Sequence, residues 1–508
     1  MLKRTSFPPV SRPLTRWWVW SLPLFAGLLL ALVAIPYPWS FLTPPPLAWT
    51  FLLIARAECP KRAFWVGFWA GVGFFALHLM WLPISFTALF GPVIILPMLF
   101  LPPILGSFWG LTAGLCRLAG RYTLAALPFA WVVMEYLRSL GVFGFTWGTL
   151  GYAFLPTPLI QVADLGGVYL VSLLAAGTAA ALAALYARRW LPSLVMTGLL
   201  LGASGYGLTR PEPPIADQDV LLVQGSVDPF DKAESRSLDE LELYAALSQQ
   251  GLARNGDIDL VIWPEGASPL SAEDAEVTQV LGQLGTSALV GAPNYDTGYQ
   301  NSAYGFSGML TNRYSKVKLV PFGETFPLQE ALGFIYNPIF SAIGLPGLRG
   351  ATPGNVYEPL EVGDFSAATY ICYESTFPQV ARIMVQKGAT VLVNISNDAW
   401  FGRTVGAEQH FQMGRVRAIE TRRYLARAGN DGISAVINPL GQTVSRFPRG
   451  ERAAFAAQVG LSEEQTLYVR FGDWVVWASA VVLVFLAAAA FVAWWQPRKG
   501  ERCLKRFP

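Results

Sequence analysis

Two stretches of this chain carry long apolar runs with few charges, and a polar block lies between them. Eight apolar runs make up the two stretches, seven before the polar block and one after it. A bilayer core of about 30 Å is crossed by roughly 20 apolar residues in a helix. The pattern therefore predicts a membrane bundle of about eight transmembrane helices, several of them shortened by proline. The runs are residues 17–35, 39–55, 63–88, 89–116, 122–137, 168–187, 190–209 and 474–495.

The polar block, residues 211–471, alternates between strand-like and helix-like patterns. Apolar runs such as 219–224 and 367–371 predict buried strands, and the segments 232–253 and 408–423 predict helices. Strands that alternate with helices indicate an α/β layer structure. Further strands are predicted at 259–263, 288–291, 390–395 and 434–438, an antiparallel pair at 301–306 and 311–318, and further helices at 273–284 and 377–387.

The chain thus divides into three parts. Residues 1–210 form a predicted seven-helix transmembrane domain, 211–471 an α/β domain, and 472–508 a last transmembrane helix with a basic tail. The composition agrees, since 53% of residues are hydrophobic and 14% are charged, with a mean hydropathy of +0.39. Soluble domains carry about 25% charged residues. The net charge of +3 gives no reason to expect a nucleic-acid partner.

Lysine and arginine are concentrated on one side of the predicted membrane, whereas the short loops opposite hold only Arg138. The positive-inside rule puts the basic side in the cytoplasm, so both termini are expected there and the α/β domain on the far side. The first run lacks a small-residue cleavage site before Pro36, so we expect it to be retained rather than removed as a signal peptide. The basic clusters are at 3–16, 56–62, 117–121, 188–189 and 498–506.

Glu265, Lys316 and Cys372 are the candidate catalytic residues. Each follows or ends a strand-like run, and the carboxyl ends of strands are where the active sites of open α/β sheets form. A thiol attacks as the thiolate and needs a base or a nearby cation. Glu265 can take the proton, and Lys316 can stabilise an oxyanion. Alternatively, Glu265 and Lys316 form a structural salt bridge.

Other chemistries lack residues. A dyad of Cys372 with His410 is the alternative; we expect His410 instead on a helix face, as a contact on the substrate side. The α/β block has one cysteine and one histidine, too few for a zinc site, so no metal or cofactor is expected. No phosphate-binding or dinucleotide-binding fingerprint occurs.

Five short motifs together resemble those of the nitrilase superfamily and, with the flanking apolar runs, those of the apolipoprotein N-acyltransferase family of the bacterial inner membrane. The motifs are WPE at 263–265, YSK at 314–316, LVPFGE at 319–324, CYE at 372–374 and NISNDAWFG at 394–402. The resemblance implies an αββα sandwich that takes an acyl chain from a phospholipid onto a cysteine. It then passes the chain to the α-amine of a diacylglyceryl apolipoprotein.

The resemblance also implies residue roles. Glu265 is expected as general base, Lys316 as oxyanion stabiliser and Cys372 as nucleophile. The supporting positions that it implies are Glu324, Tyr373 and Glu374. The family's aromatic position after the first strand has no tryptophan counterpart in residues 224–232, and Phe230 is the residue assigned to it.

The segment 334–348 is apolar and rich in proline and glycine. We expect a loop that acts as a lid for acyl chains, with Ile339 and Phe340 at its centre and Trp400 as a further substrate contact; an ordinary core-packing loop is the alternative. A membrane-anchored amidase that uses water as acceptor remains open, and so does a scaffold or transporter. Transport is disfavoured because intramembrane charges are few: Glu135, Arg138 and Asp164.

Overall fold

The computed structural model describes residues 18–92, 95–227, 238–342 and 350–495. The first part of the chain is helical and apolar. Its helices are α1 (Trp18–Val33), α2 (Pro44–Arg56), α3 (Pro60–His78), α4 (Trp81–Phe90), α5 (Ile95–Met98), α6 (Leu101–Leu118), α7 (Thr123–Arg138), α8 (Ala163–Tyr186) and α9 (Leu191–Leu208).

Within the described residues, three helical segments are long and apolar enough to cross a membrane: Pro158–Tyr186, Leu191–Leu208 and Trp474–Ala493. A fourth arises if Pro60–His78 and Trp81–Thr87, bent by 47°, count as one span. The described residues therefore do not confirm the predicted number of eight. The physical reason is local: the predicted run 63–88 bends after His78, and 89–116 is divided among α4, α5 and α6. Proline lacks the N–H that an uninterrupted helix needs, and α6 begins at a proline pair.

The α/β domain contains two six-stranded sheets that face each other. The first has the order β12-β1-β2-β3-β4-β5 and the second β11-β10-β9-β8-β7-β6. Each has three parallel strands at its centre, β1-β2-β3 and β7-β8-β9, and antiparallel strands at its edges. The strands are β1 (Gln218–Gln224), β2 (Leu260–Ile262), β3 (Ser287–Asn294), β4 (Gln300–Phe306), β5 (Leu310–Ser315), β6 (Leu360–Val362), β7 (Phe365–Ile371), β8 (Val391–Ser396), β9 (Leu425–Gly429), β10 (Ala435–Ile437), β11 (Thr443–Arg446) and β12 (Ala453–Val459).

Alternate side chains of β1 serve two cores. Val220 and Leu222 belong to the core between the sheets, whereas Leu221 and Val223 pack with Tyr244 of the outer helix α10. A strand buried on both faces has no polar alternation, which explains the apolar run. The result is the predicted αββα sandwich. The helices of this domain and after it are α10 (Asp239–Asn255), α11 (Ala275–Gly282), α12 (Gln329–Ala342), α13 (Pro378–Gln386), α14 (Val405–Thr421), α15 (Leu467–Phe471) and α16 (Trp474–Trp495).

A break in α8 joins the membrane helices to the sandwich. Gly166 and Gly167 leave the helical conformation, and Gly167 has φ of +68°. Glu420 of α14 accepts a hydrogen bond from the freed backbone N–H of Val168 at 2.8 Å. A side chain at Gly167 would meet the ring of Tyr468 at 2.6 Å, so the close approach also requires glycine.

One predicted loop is wrong in form. The part of segment 334–348 that is described belongs to α12, which contains Pro338, and not to a loop. Residues 329–342 carry enough helix formers for a helix to form despite this proline, which kinks rather than forbids it. Residues 343–349 lie outside the described residues. In the α/β domain, the predicted strands and the other predicted helices are confirmed to within a few residues; the start of the predicted helix 232–253 lies outside the described part.

Candidate active site

Cys372 lies at a sharp turn between β7 and a short 3-10 helix, Cys372–Thr376. Its φ is +50°, in the left-handed region, and the residue is 8% exposed. A non-glycine residue in this region costs about 1–3 kcal/mol and persists only where its surroundings impose it. The turn lifts the thiol off the end of a buried strand.

Lys316 directly follows β5 and points its ammonium group at two carboxylates. Its Nζ is 2.7 Å from Oε1 of Glu324 and 3.4 Å from Oε1 of Glu265. Asn301 joins them, because its Nδ2 donates to Oε1 of Glu265 at 2.6 Å and to Oε1 of Glu324 at 3.2 Å. Burial acts to lower the pKa of Lys316, but the carboxylates of Glu324 and Glu265 outweigh it and raise the pKa above its ordinary value. Lys316 is therefore a fixed cation.

The thiol of Cys372 lies in the field of the same groups. Burial raises its pKa most, the charge of Glu265 raises it further, and Lys316 opposes both. The pKa ends well above its ordinary value, so the resting thiol keeps its proton at neutral pH. Ser396 hydrogen-bonds the thiol. A reaction at this sulfur therefore needs a base at the moment of attack. Glu265 is the nearby carboxylate that can serve, and the backbone N–H of Asn397 holds its Oε2 at 2.8 Å.

Glu374 does not contact the thiol or the ammonium of Lys316 directly. It connects the two chain segments that carry these groups. Its Oε1 accepts hydrogen bonds from Tyr314 Oη at 2.7 Å and from the backbone N–H groups of Val317 and Lys318 at 2.9 and 3.0 Å. Its Oε2 accepts from the N–H of Ile371 at 2.9 Å. One fully buried carboxylate thus ties the segment that carries Lys316 to the strand that carries Cys372.

Tyr373 points to the membrane helices. Its Oη donates to the carbonyl oxygen of Gly144 at 2.7 Å, and its ring stacks on Trp147 at 5.8 Å between centroids. Thr146 donates to Thr376 at 2.7 Å. The loop after α7 therefore packs against the short helix that begins at Cys372.

The remaining predicted residues differ in how far the structure describes them. Trp400 is 43% exposed in the 3-10 turn Asp398–Phe401, directly after the Asn397 contact to Glu265. Ile339 and Phe340 are part of α12. Phe230 lies outside the described residues.

Two residues at the site were not assigned to it from the sequence. Asn301 carries no motif, because its role depends on the pairing of β4 with β5. His410 was expected on a helix face, but it is fully buried, and its Nε2 lies 2.9 Å from the carbonyl oxygen of Cys372.

Comparisons with protein families divide the chain as its structure does. Residues 26–181 match the family model described as the apolipoprotein N-acyltransferase N-terminal domain, and residues 222–471 match the carbon-nitrogen hydrolase family.

Relatives named apolipoprotein N-acyltransferase match nearly the whole chain. The one from Geobacter metallireducens is 34% identical, over 92% of this chain and 94% of its own length. The one from Vibrio vulnificus is 30% identical, over 98% of this chain and 99% of its own length.

Solved structures match the sandwich region. A carbon-nitrogen hydrolase from Helicobacter pylori is 18% identical with a TM-score of 0.38, covering 50% of this chain and 92% of its own. A Saccharomyces cerevisiae member of the nitrilase superfamily is 19% identical with a TM-score of 0.38, covering 49% of this chain and 93% of its own.

Proposed function

The chain belongs to the apolipoprotein N-acyltransferase family, and we propose that it moves an acyl chain from a phospholipid, through a thioester on Cys372, to the α-amine of a diacylglyceryl apolipoprotein. The observation that carries the assignment of the site is the cluster that buried Lys316 and Glu265 form with half-buried Glu324 beside the thiol of Cys372. It supplies a base, a fixed cation and a nucleophile in one place.

The first half-reaction uses these groups in turn. Glu265 takes the proton of the Cys372 thiol as the sulfur attacks the ester carbonyl of the phospholipid. Lys316 stabilises the oxyanion that forms, because a buried cation acts strongly on charge developing in a dry site. The C–O bond then breaks, and the proton on Glu265 goes to the departing lysophospholipid alkoxide.

The second half-reaction repeats the sequence with the amine. The α-amine attacks the thioester carbonyl, Lys316 again stabilises the oxyanion, and Glu265 takes a proton from the attacking nitrogen. The C–S bond breaks, the thiolate recovers its proton, and the amide product leaves. Glu324 holds Lys316 charged and in position throughout, at 2.7 Å.

The two ends of α7 support a membrane arrangement. Arg121 lies just before the first residue of α7. The loop that contacts the active site, through Gly144 and Tyr373, begins just after its last residue, Arg138. Basic clusters and active site thus lie at opposite ends of the helix, which supports a cytoplasmic basic side. We accordingly propose residues 1–210 and 472–508 as the membrane part, with about eight spans and both termini cytoplasmic. In that arrangement the domain of residues 211–471 is periplasmic.

Acyl chains need an apolar approach to the thiol. Phe334 of α12 is 75% exposed and Phe322 is 48% exposed, and the ring of Phe322 is 6.4 Å from that of Phe143 after α7. An exposed apolar surface commonly marks a membrane or ligand contact. The contact of Phe322 with Phe143 lies two residues before Glu324 in the chain, and the exposed ring of Phe334 supports α12 as the element that admits the chains. Trp400 is proposed as a further substrate contact.

The proposal is tested with purified protein and a phospholipid labelled in its acyl chain. A hydroxylamine-sensitive label on the protein is expected, which moves to a diacylated lipopeptide when that acceptor is added; Cys372→Ala abolishes both. Release of labelled fatty acid at the same rate with and without lipopeptide would instead favour the amidase-like alternative, in which water is the acceptor.

Lys316→Met tests the oxyanion role. Removal of one such donor typically costs about 10²–10³ in rate, so thioester formation should fall by this factor. Lys318→Met is the matched control, because the ammonium of Lys318 lies over the ring of Phe377 at 5.6 Å rather than beside the carboxylates. An inactive Lys318 variant beside a normal Lys316 variant would refute the assignment.

A further inference from the structure

His410 of α14 contacts the backbone carbonyl group of Cys372, the proposed nucleophile. Its side chain is fully buried. Nε2 lies 2.9 Å from the carbonyl oxygen of Cys372 and 2.8 Å from the hydroxyl of Ser375. On the other side of the ring, Nδ1 lies 3.2 Å from Oδ1 of Asp398 and 3.1 Å from Nη2 of Arg427.

The partners define the form of the ring. A carbonyl oxygen can only accept, so Nε2 carries the proton that it donates to Cys372. Nδ1 faces a carboxylate of Asp398, which can only accept, and a guanidinium of Arg427, which can only donate, so both fix the ring in its plane. Burial lowers the pKa of His410 and the charge of Arg427 lowers it further, while Asp398 opposes them without reversing the shift. Asp398 itself is bound by Arg427 at 2.8 and 2.9 Å. Nε2 therefore carries a proton that faces the carbonyl oxygen of Cys372 and the hydroxyl of Ser375, so this nitrogen does not accept the proton of the thiol.

This bond acts on the strained residue of the site. Cys372 has a φ of +50°, which needs support from its surroundings. The carbonyl of Cys372 and the N–H of Tyr373 belong to one planar trans peptide and point in opposite directions. A donor that holds the carbonyl therefore also fixes the direction of that N–H and the conformation that lifts the thiol.

We propose that His410 is a positioning residue for the nucleophile, and that its Nε2–H bond to the carbonyl of Cys372 holds the thiol in its attacking position. The inference rests on Cys372 being the nucleophile of the proposed function. It assigns to His410 no proton transfer with the thiol, which distinguishes it from the base of a cysteine–histidine dyad.

The test compares three variants by the rate at which iodoacetamide alkylates Cys372, a reaction that needs neither phospholipid nor lipopeptide. His410→Leu removes the donor, and His410→Gln restores an N–H that cannot act as a base. Gln409→Leu is the control, since Gln409 is a buried polar neighbour on the same helix that donates to the carbonyl of His78 at 3.2 Å. Thermal midpoints in detergent and the pH profile of alkylation are measured for each protein.

We expect His410→Leu to slow alkylation about tenfold or more, because misplacement of a reacting group by about 1 Å can cost 10²-fold in rate. His410→Gln should stay within about threefold of the parent, with an unchanged pH profile, and Gln409→Leu should keep the parent's rate. The proposal is overturned if His410→Leu alkylates like Gln409→Leu. The proposal is also overturned if Cys372 in His410→Gln is alkylated ten times more slowly than in the parent, or if one of the ionisations in its pH profile disappears. This second comparison decides the matter if His410→Leu does not fold. If only the acyl transfer to the lipopeptide failed, the proposed function would be contradicted, but the alkylation rates of Cys372 would be unchanged.

Discussion

Replacement of Glu374 by glutamine should separate the two halves of the active site without changing side-chain volume. The carboxylate is fully buried and accepts four hydrogen bonds, three from the segment around Lys316 and one from the N–H of Ile371. All four partners are donors. The amide of glutamine offers one acceptor oxygen and one donor group, so it cannot satisfy all of them.

The better orientation of the amide keeps its oxygen toward the three donors on the Lys316 side. Its NH₂ then faces the N–H of Ile371, which is left unsatisfied at a cost of about 1–3 kcal/mol. The three retained bonds change from charged to neutral, each weaker by about 1 kcal/mol. The lower desolvation cost of an amide offsets part of this loss. We therefore expect a net destabilisation of roughly 2–4 kcal/mol, concentrated where strand β7 meets the residue before Cys372.

The assay follows thioester formation from labelled phospholipid together with the thermal midpoint in detergent. We expect acylation to fall about 10²-fold, since the two reacting segments lose their common anchor. Glu358→Gln is the matched control, because Glu358 forms only an exposed ion pair with Lys387, and such pairs contribute about 0–1 kcal/mol. Normal acylation and an unchanged midpoint in the Glu374 variant, or an equal loss in the Glu358 variant, would refute the reasoning.

Three further changes are expected to have specific effects. Burial and then the charge of Glu265 raise the pKa of the Cys372 thiol, so Glu265→Gln should shift alkylation by iodoacetamide to lower pH while thioester formation falls; a shift to higher pH would contradict this. Gly167→Ala places a Cβ 2.6 Å from a tyrosine ring at φ +68° and should destabilise the protein by about 1–3 kcal/mol. Gly198→Ala, in open space, should not lower the thermal midpoint in detergent. Phe334→Ser should slow turnover of long-chain phospholipid and spare a short-chain thioester donor, and equal loss on both donors would show that α12 does not admit acyl chains.

Local patterns were sufficient for an α/β layer structure, and the resemblance to the nitrilase superfamily supplied its αββα order. A strand between a second sheet and a helix layer is buried on both faces, and runs such as 219–224 and 390–395 display this as uninterrupted apolar residues. Catalytic groups at strand ends are visible for the same reason, since the chain must turn there. Glu265, Lys316 and Cys372 could thus be picked out as candidates, and the structure brings them together at one edge of the two sheets.

The count of eight spans stays a prediction, because hydrophobicity measures the composition of a segment and not the continuity of its helix. The run 89–116 contains prolines that divide it among several helices, and the run 63–88 bends after His78. For segment 334–348 the predicted conformation was wrong. Its proline and glycine residues suggested a loop, yet its described part is helical. Proline restrains one residue's backbone, whereas the neighbours decide whether a helix continues around it.

The sequence by itself determined that apolar helical segments flank an α/β block, and it singled out Glu265, Lys316 and Cys372 as candidate reactive groups, since each depends on residues close together in the chain. The tertiary structure alone decided which groups support them. Tyr373 meets Gly144 across 229 positions, and Thr146 meets Thr376 across 230. His410 reaches the carbonyl of Cys372 only because α14 packs beneath the turn. Such contacts depend on how finished helices and sheets dock, and the periodicity of a single element carries no information about its distant partner.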